Sequence, residues 1–203
     1  MVSAKEALQR LREGNQRFVA DATLHRMGVE GRRRELTDGQ EPFAIILGCS
    51  DSRVPAEIVF DQGLGDLFVI RVAGNIVQPS QIGSVEFAAS KFGTRLVVVL
   101  GHSQCGAIQA TLEQLQMPSE DRSPNVPSIV EFIRPSVESL LERDLDANTV
   151  LDQAVRANVH ASAERLRRAS SLIEQLERDD GLVIAGAEYS LETGVVDFFD
   201  DAS

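Results

Sequence analysis

Ile45-Ile46-Leu47-Gly48-Cys49-Ser50-Asp51-Ser52-Arg53-Val54 is the stretch that decides how this chain folds. The apolar run from Phe43 to Leu47 stops at a glycine, and a cysteine, a carboxylate and an arginine follow at alternate positions. Such a run, closed by Gly and polar residues, reads as a strand buried on both faces of a parallel sheet. Ligands of these sheets bind beyond the carboxyl ends of the strands, where Cys49, Asp51 and Arg53 fall. Arg95-Leu96-Val97-Val98-Val99-Leu100-Gly101-His102-Ser103-Gln104-Cys105-Gly106 repeats the pattern, with a His and a Cys three residues apart after the strand. The simplest account is that both strand ends deliver ligands to one metal.

Working outward, Ser3 caps a helix with Glu6 completing a capping box, and Ala7, Leu8, Leu11 and Phe18 give it one apolar stripe to about Ala20. It precedes the first strand and has no crossover role, so it either covers the sheet or packs on another subunit; residues 1–20 are expected to form an arm on a partner subunit. Residues 21–41 read as loop with one helical turn. Strands are expected at 43–48, 67–72, 95–100 and 182–187, and an edge strand at 195–199. Helices are expected at 56–60, 79–92 and 106–115, a loop at 117–125, and a helical region from Ile129 to Leu176 broken at Pro135 and near 144–148. Strands alternating with helices make an α/β fold, a mostly parallel four-stranded sheet with an antiparallel edge strand, flanked by helices. No repeat or boundary divides it, so residues 1–203 read as one domain.

Composition narrows the function. The 203 residues carry a formal net charge of −11, which argues against nucleic-acid and anionic-membrane partners. No apolar run approaches the roughly 20 residues of a membrane span, and the first residues lack the apolar core of a signal peptide. With two cysteines, both at strand ends, a reducing, cytoplasmic setting is expected.

Zinc takes thiolate and imidazole ligands tetrahedrally, and three protein ligands with one open position mark a catalytic site. Cys49, His102 and Cys105 supply that count. Two buried cysteines alone are ordinary core residues; adding His102 and the Asp51–Arg53 pair tips the reading to metal. His25 and His160 have no partners nearby in sequence and are not counted as ligands. Arg53 can hold Asp51 bidentately, keeping it ionised and off the metal. Two thiolates cancel the ion's formal charge, so its water should be less acidic than beside three imidazoles. The chemistry implied is attack by zinc hydroxide on a small electrophile.

Cys49-Ser50-Asp51-Ser52-Arg53, Gly101-His102-Ser103-Gln104-Cys105-Gly106 and Phe68-Val69-Ile70-Arg71-Val72-Ala73-Gly74-Asn75 resemble the signature blocks of β-class carbonic anhydrases. The resemblance runs from about Leu8 to Phe199. It implies a zinc lyase, with one zinc per chain, that hydrates carbon dioxide reversibly to bicarbonate, in a homodimer or homotetramer. It makes Cys49, His102 and Cys105 the ligands and Asp51 with Arg53 the catalytic dyad. Phe68, Ala73 and Phe87 match pocket positions, Gly106 a glycine whose amide faces substrate, and Gln40 a glutamine that reaches a neighbouring subunit's site. Arg71 and Tyr189 match two members of a non-catalytic bicarbonate triad, but Ile46 stands where the third, a tryptophan, belongs. A pH-driven exchange of Asp51 for water on zinc, without bicarbonate control, is therefore expected, with Glu57 and Arg71 paired in the open state. The neighbouring alternative is a zinc hydrolase of carbonyl sulfide or carbon disulfide, separated by cavity shape. A non-enzymatic zinc-stabilised binding protein would instead close the site with a fourth protein ligand.

Overall fold

Ala44–Gly48 (β1) is buried at all five positions because a parallel strand flanks it on each side. These neighbours are Leu67–Arg71 (β2) and Leu96–His102 (β3). Val183–Tyr189 (β4) runs parallel to β3, and Val196–Phe198 (β5) pairs antiparallel with β4, giving the order β2-β1-β3-β4-β5. The computed structural model describes residues 2–24, 29–117 and 127–199. His25 and nearly all of the loop expected at 117–125 lie outside the described residues.

Alternation along the strands sends Ala44, Ile46, Val98 and Leu100 to one face and Ile45, Leu47, Val97 and Val99 to the other. The first face is covered by Ala4–Val19 (α1) and the short helix Ala56–Val59 (α3), between which come Val29–Glu35 (α2) and a 3-10 turn, Leu36–Asp38. Residues 21–41 thus hold more helix than the single turn expected. Ser3 caps α1 by accepting from the Glu6 amide at 3.2 Å, while the Glu6 carboxylate turns to Arg10, so only half of the capping box forms.

The stripe on α1 is used within the chain. Leu8 and Leu11 are buried against the chain's own sheet, and Gly14 lies so close to α3 that a Cβ there would stand 1.8 Å from the Phe60 carbonyl oxygen. The helix is a layer of this fold, because the short crossover helix α3 covers only part of this sheet face and α1 covers the rest. Asn15, also buried, donates to the Val59 and Gly194 carbonyls and accepts from the Val196 amide, tying α1 to the β4–β5 hairpin.

The opposite face is covered by Pro79–Lys91 (α4), Ala147–Arg167 (α7) and Ser171–Asp179 (α8). Gly106–Gln116 (α5) and Pro127–Val137 (α6) build a third apolar cluster with α7, and this cluster includes Cys49 and Cys105. Helix α6 runs through Pro135, which sits in its last turn, so the break comes after Val137 rather than at the proline. The expected run to Leu176 divides near Ser170, whose hydroxyl caps α8 by accepting from the Leu172 and Ile173 amides. No helix among the described residues is long and apolar enough to cross a membrane.

Candidate metal centre

Strand register brings the two motifs together. Gly48 pairs with Leu100 and with Arg71, so the chain leaves β1 at Cys49 beside the last residues of β3. Strand β3 runs two residues further than its apolar pattern, ending on His102, which is fully buried. Gln104, with φ +54°, reverses the chain in the left-handed region, and Cys105 follows as the cap of α5. The two sulfurs lie 4.0 Å apart as free thiols, and the ligand atoms of Cys49, His102 and Cys105 all fall within 4.8 Å of one another.

Each of the three is held by the backbone. The Gly74 amide donates to the Cys49 sulfur at 3.4 Å. His102 Nδ1 donates to the Ser103 carbonyl at 2.9 Å, and Nε2 is buried and without a hydrogen-bond partner. The hydrogen bond from Cys105 pushes Cys49 down against the opposing effect of burial, and His102 and the Gly74 amide lower it further. Cys105 is pushed up by the same partner and by burial. The two shifts run in opposite directions because the sulfurs share one hydrogen bond. Burial opposes a charge on His102, but the Cys49 sulfur beside it outweighs that and raises its affinity for a proton. A buried imidazole nitrogen facing two sulfurs suits a thiophilic divalent cation.

Arg53 grips Asp51 with Nε on Oδ1 at 2.9 Å and Nη2 on Oδ2 at 2.7 Å, and its own amide donates to Oδ1 at 2.9 Å. This hold keeps the Asp51 carboxyl well below the usual carboxylate range. Asp51 Oδ2 is 3.8 Å from His102 Nε2, so the dyad borders the cluster. Arg71 donates from Nε to the Cys49 carbonyl at 3.0 Å and from Nη2 to the Asp51 carbonyl at 2.6 Å. It makes no ion pair with Glu57 among the described residues, contrary to expectation; its Nε and Nη2 are directed at the carbonyls of the loop that follows β1.

The remaining candidates divide. Ala73 sits beside Gly74 in the 3-10 turn Ala73–Asn75, and Gly106 opens α5 next to Cys105 with open space where a side chain would be. Both are at the cluster. Phe68 is opposite Ile45, three residues short of Gly48, in an aromatic group with Phe87 (6.2 Å) and Phe92 (6.1 Å) on the α4 side. Gln40 precedes β1 and lines clefts of about 400 and 660 Å³ at the opposite end of the sheet. The chain does not bring Phe68, Phe87 and Gln40 to its own cluster. His160 stacks on Phe199 at 4.9 Å, away from the thiols. Sequence reading missed the Gly74 amide and Asn158, whose signal was a lone amide among apolar residues on one stripe of α7.

The sequence profile of the family described as Carbonic anhydrase matches residues 44–196. Carbonic anhydrase 2 of Mycobacterium tuberculosis is 40% identical over 190 residues, spanning 93% of this chain and 89% of that protein. The carbonic anhydrase of Mycolicibacterium smegmatis is 42% identical over 192 residues, spanning 94% and 91%. Among solved structures, the β-carbonic anhydrase CcaA superposes with a TM-score of 0.78 at 27% identity, over 95% of this chain and 87% of that one.

Proposed function

The chain belongs to the β-carbonic anhydrase family, whose reaction is the reversible hydration of carbon dioxide, and we propose that it performs this reaction with one zinc ion per chain held by Cys49, His102 and Cys105. The observation that carries the zinc reading is the buried, unpartnered Nε2 of His102 converging with two thiols. The donor set fits: borderline-soft zinc prefers thiolate and imidazole, and three protein donors leave a position open. Zinc bound there supplies the Lewis acidity that makes water a nucleophile near neutral pH.

The chain's own groups do the rest. Asp51, kept ionised by Arg53, accepts a hydrogen bond from the attacking water and aims its lone pair at the carbon of carbon dioxide. A carboxylate held this acidic is a poor store for a proton, so it orients, and the proton leaves to buffer. The Gly106 amide, first in α5, faces the negative charge that grows on the oxygens, helped by the positive end of that helix. Ala73 offers a small apolar wall.

Gln40, Phe68 and Phe87 are assigned to a site completed by a second copy of the chain, as homodimer or homotetramer. What supports this is their distance from their own cluster together with the exposure of Phe87, at 53%. A reducing, cytoplasmic setting belongs to the same reading, since two thiols 4.0 Å apart must stay reduced to serve as ligands.

The test is stopped-flow hydration of carbon dioxide by zinc-loaded protein, with carbonyl sulfide as competitor and zinc counted per chain. Cys105→Ser should lose both zinc and turnover. Full zinc occupancy in that variant would refute the ligand set, and preference for carbonyl sulfide would refute the substrate.

A further inference from the structure

The Gly74 turn that donates to the Cys49 sulfur is itself held from outside. Gly74 sits at φ +70° and ψ 19°, and a Cβ there would stand 2.8 Å from Ile133 Cδ1 and 3.2 Å from Ala107 Cβ. Glycine has the least intrinsic restraint of any residue, so this pose needs an anchor. Its carbonyl accepts a hydrogen bond from Asn158 Nδ2 at 2.8 Å, across 84 positions of sequence. That oxygen is three covalent bonds from the nitrogen whose hydrogen reaches Cys49.

Asn158 is 1% exposed, on the stripe of α7 that also carries Val155 and Val159. An amide buried in such a stripe is costly unless bonded. The same two turns of α7 seat the other ligand-bearing segment. Val159 Cγ2 stands 2.5 Å from where a Cβ on Gly101 would be, and Gly101 precedes His102.

We infer that Asn158 is a positioning residue of the metal centre, locking the Gly74 turn so that its amide stays on the Cys49 sulfur. The inference rests on the reading of Cys49 as a zinc ligand. An amide donor orients a ligand sulfur and withdraws charge from it. When the anchor is lost, Gly74 gains backbone freedom and the donor swings off. The sulfur then loses a donor that fixes its place and draws on its charge, so it is less well placed for a metal and holds its electrons less tightly.

Two variants test this. Asn158→Leu keeps the volume and removes the donor, and Asn158→Asp keeps the shape but sets an acceptor against the Gly74 carbonyl. Zinc affinity is measured by competition with a chromophoric chelator, and the sulfur-to-metal charge-transfer band is read on cobalt-loaded protein. Both variants should bind zinc roughly 10–100-fold more weakly, the scale for a lost outer-shell partner, and move the band to longer wavelength. Asn15→Leu is the control: Asn15 is equally a buried, fully bonded amide, but it ties α1 to the β4–β5 hairpin. It should lower the melting temperature and move neither readout. Unchanged affinity and band in both Asn158 variants overturn the inference, as does an equal loss in Asn15→Leu. If Asn158→Leu does not fold, the isosteric Asn158→Asp decides alone. Wild-type protein that binds no zinc would overturn the zinc reading and this inference together; wild-type binding with indifferent Asn158 variants overturns this one only.

Discussion

Three donors from a single residue converge on the two oxygens of Asp51, and all three belong to Arg53. The two side chains therefore act as one unit at the edge of the cluster. Asp51→Asn removes the charge that the fork holds, and Arg53→Ala frees the carboxylate to turn toward the ligands. Each should cut turnover by about 10²–10⁴-fold, the scale of a positioned acid–base partner. The double variant should be little worse than the weaker single one, since members of one unit do not contribute independently. Multiplicative losses in a double-mutant cycle of kcat/KM would show that the two side chains work separately.

Helix α1 shows how an element is fixed by one close approach. At Gly14 the helix backbone touches the Phe60 carbonyl so nearly that Gly14→Ala must lift α1 off α3. Overpacking of this kind costs about 1–3 kcal/mol, and backbone as the opposing surface points to the upper end; a denaturant midpoint unchanged from wild type would refute the contact. A second element-level effect lies at the β4–α7 seam. Glu188 is bound by Arg156 at 3.2 Å and faces Asp197 and Asp152 as well. Burial, with help from the two aspartates, raises its carboxyl above the ordinary value despite Arg156. A carboxyl raised in the folded state is favoured there in its protonated form. Stability is then greatest below the ordinary carboxyl value and falls as pH rises through the folded one. Unfolding midpoints compared between pH 4 and 8 should therefore shift in favour of Glu188→Gln as pH rises. A difference independent of pH would contradict the raised value.

At the scale of the whole molecule, the polar machinery stands at one end of the sheet, while Gln40 and the Phe68–Phe87–Phe92 group lie away from it. Phe87 is half exposed and its ring meets Phe92 edge-on at 5.5 Å. If this surface joins a second copy, Phe87→Glu should leave the circular dichroism spectrum intact and reduce the assembly's mass by light scattering. Turnover should fall with it, because Gln40, Phe68 and Phe87 would no longer reach a neighbouring site. A monomeric variant with full activity would show that each chain's site is complete by itself.

The strands, the mostly parallel sheet and the three residues that cluster at its end were legible in the sequence. Each rests on a local signal: an apolar run of strand length, a closing Gly, and Cys49, His102 and Cys105 just beyond. Such signals survive because burial on both sheet faces demands near-continuous aliphatics, and chemistry at strand ends demands specific side chains. What sequence could not give is anything that depends on which distant surfaces meet. The α1 stripe called for an apolar partner, and only the fold named it as the chain's own sheet. Arg71 could have paired with any acceptor, and register placed it on the Cys49 and Asp51 carbonyls. Asn158 read as one polar residue in a helix until α7 was laid across the Gly74 turn. Periodicity fixes how much of a residue is buried, while the identity of its partner, and so its role, is a property of the packed chain.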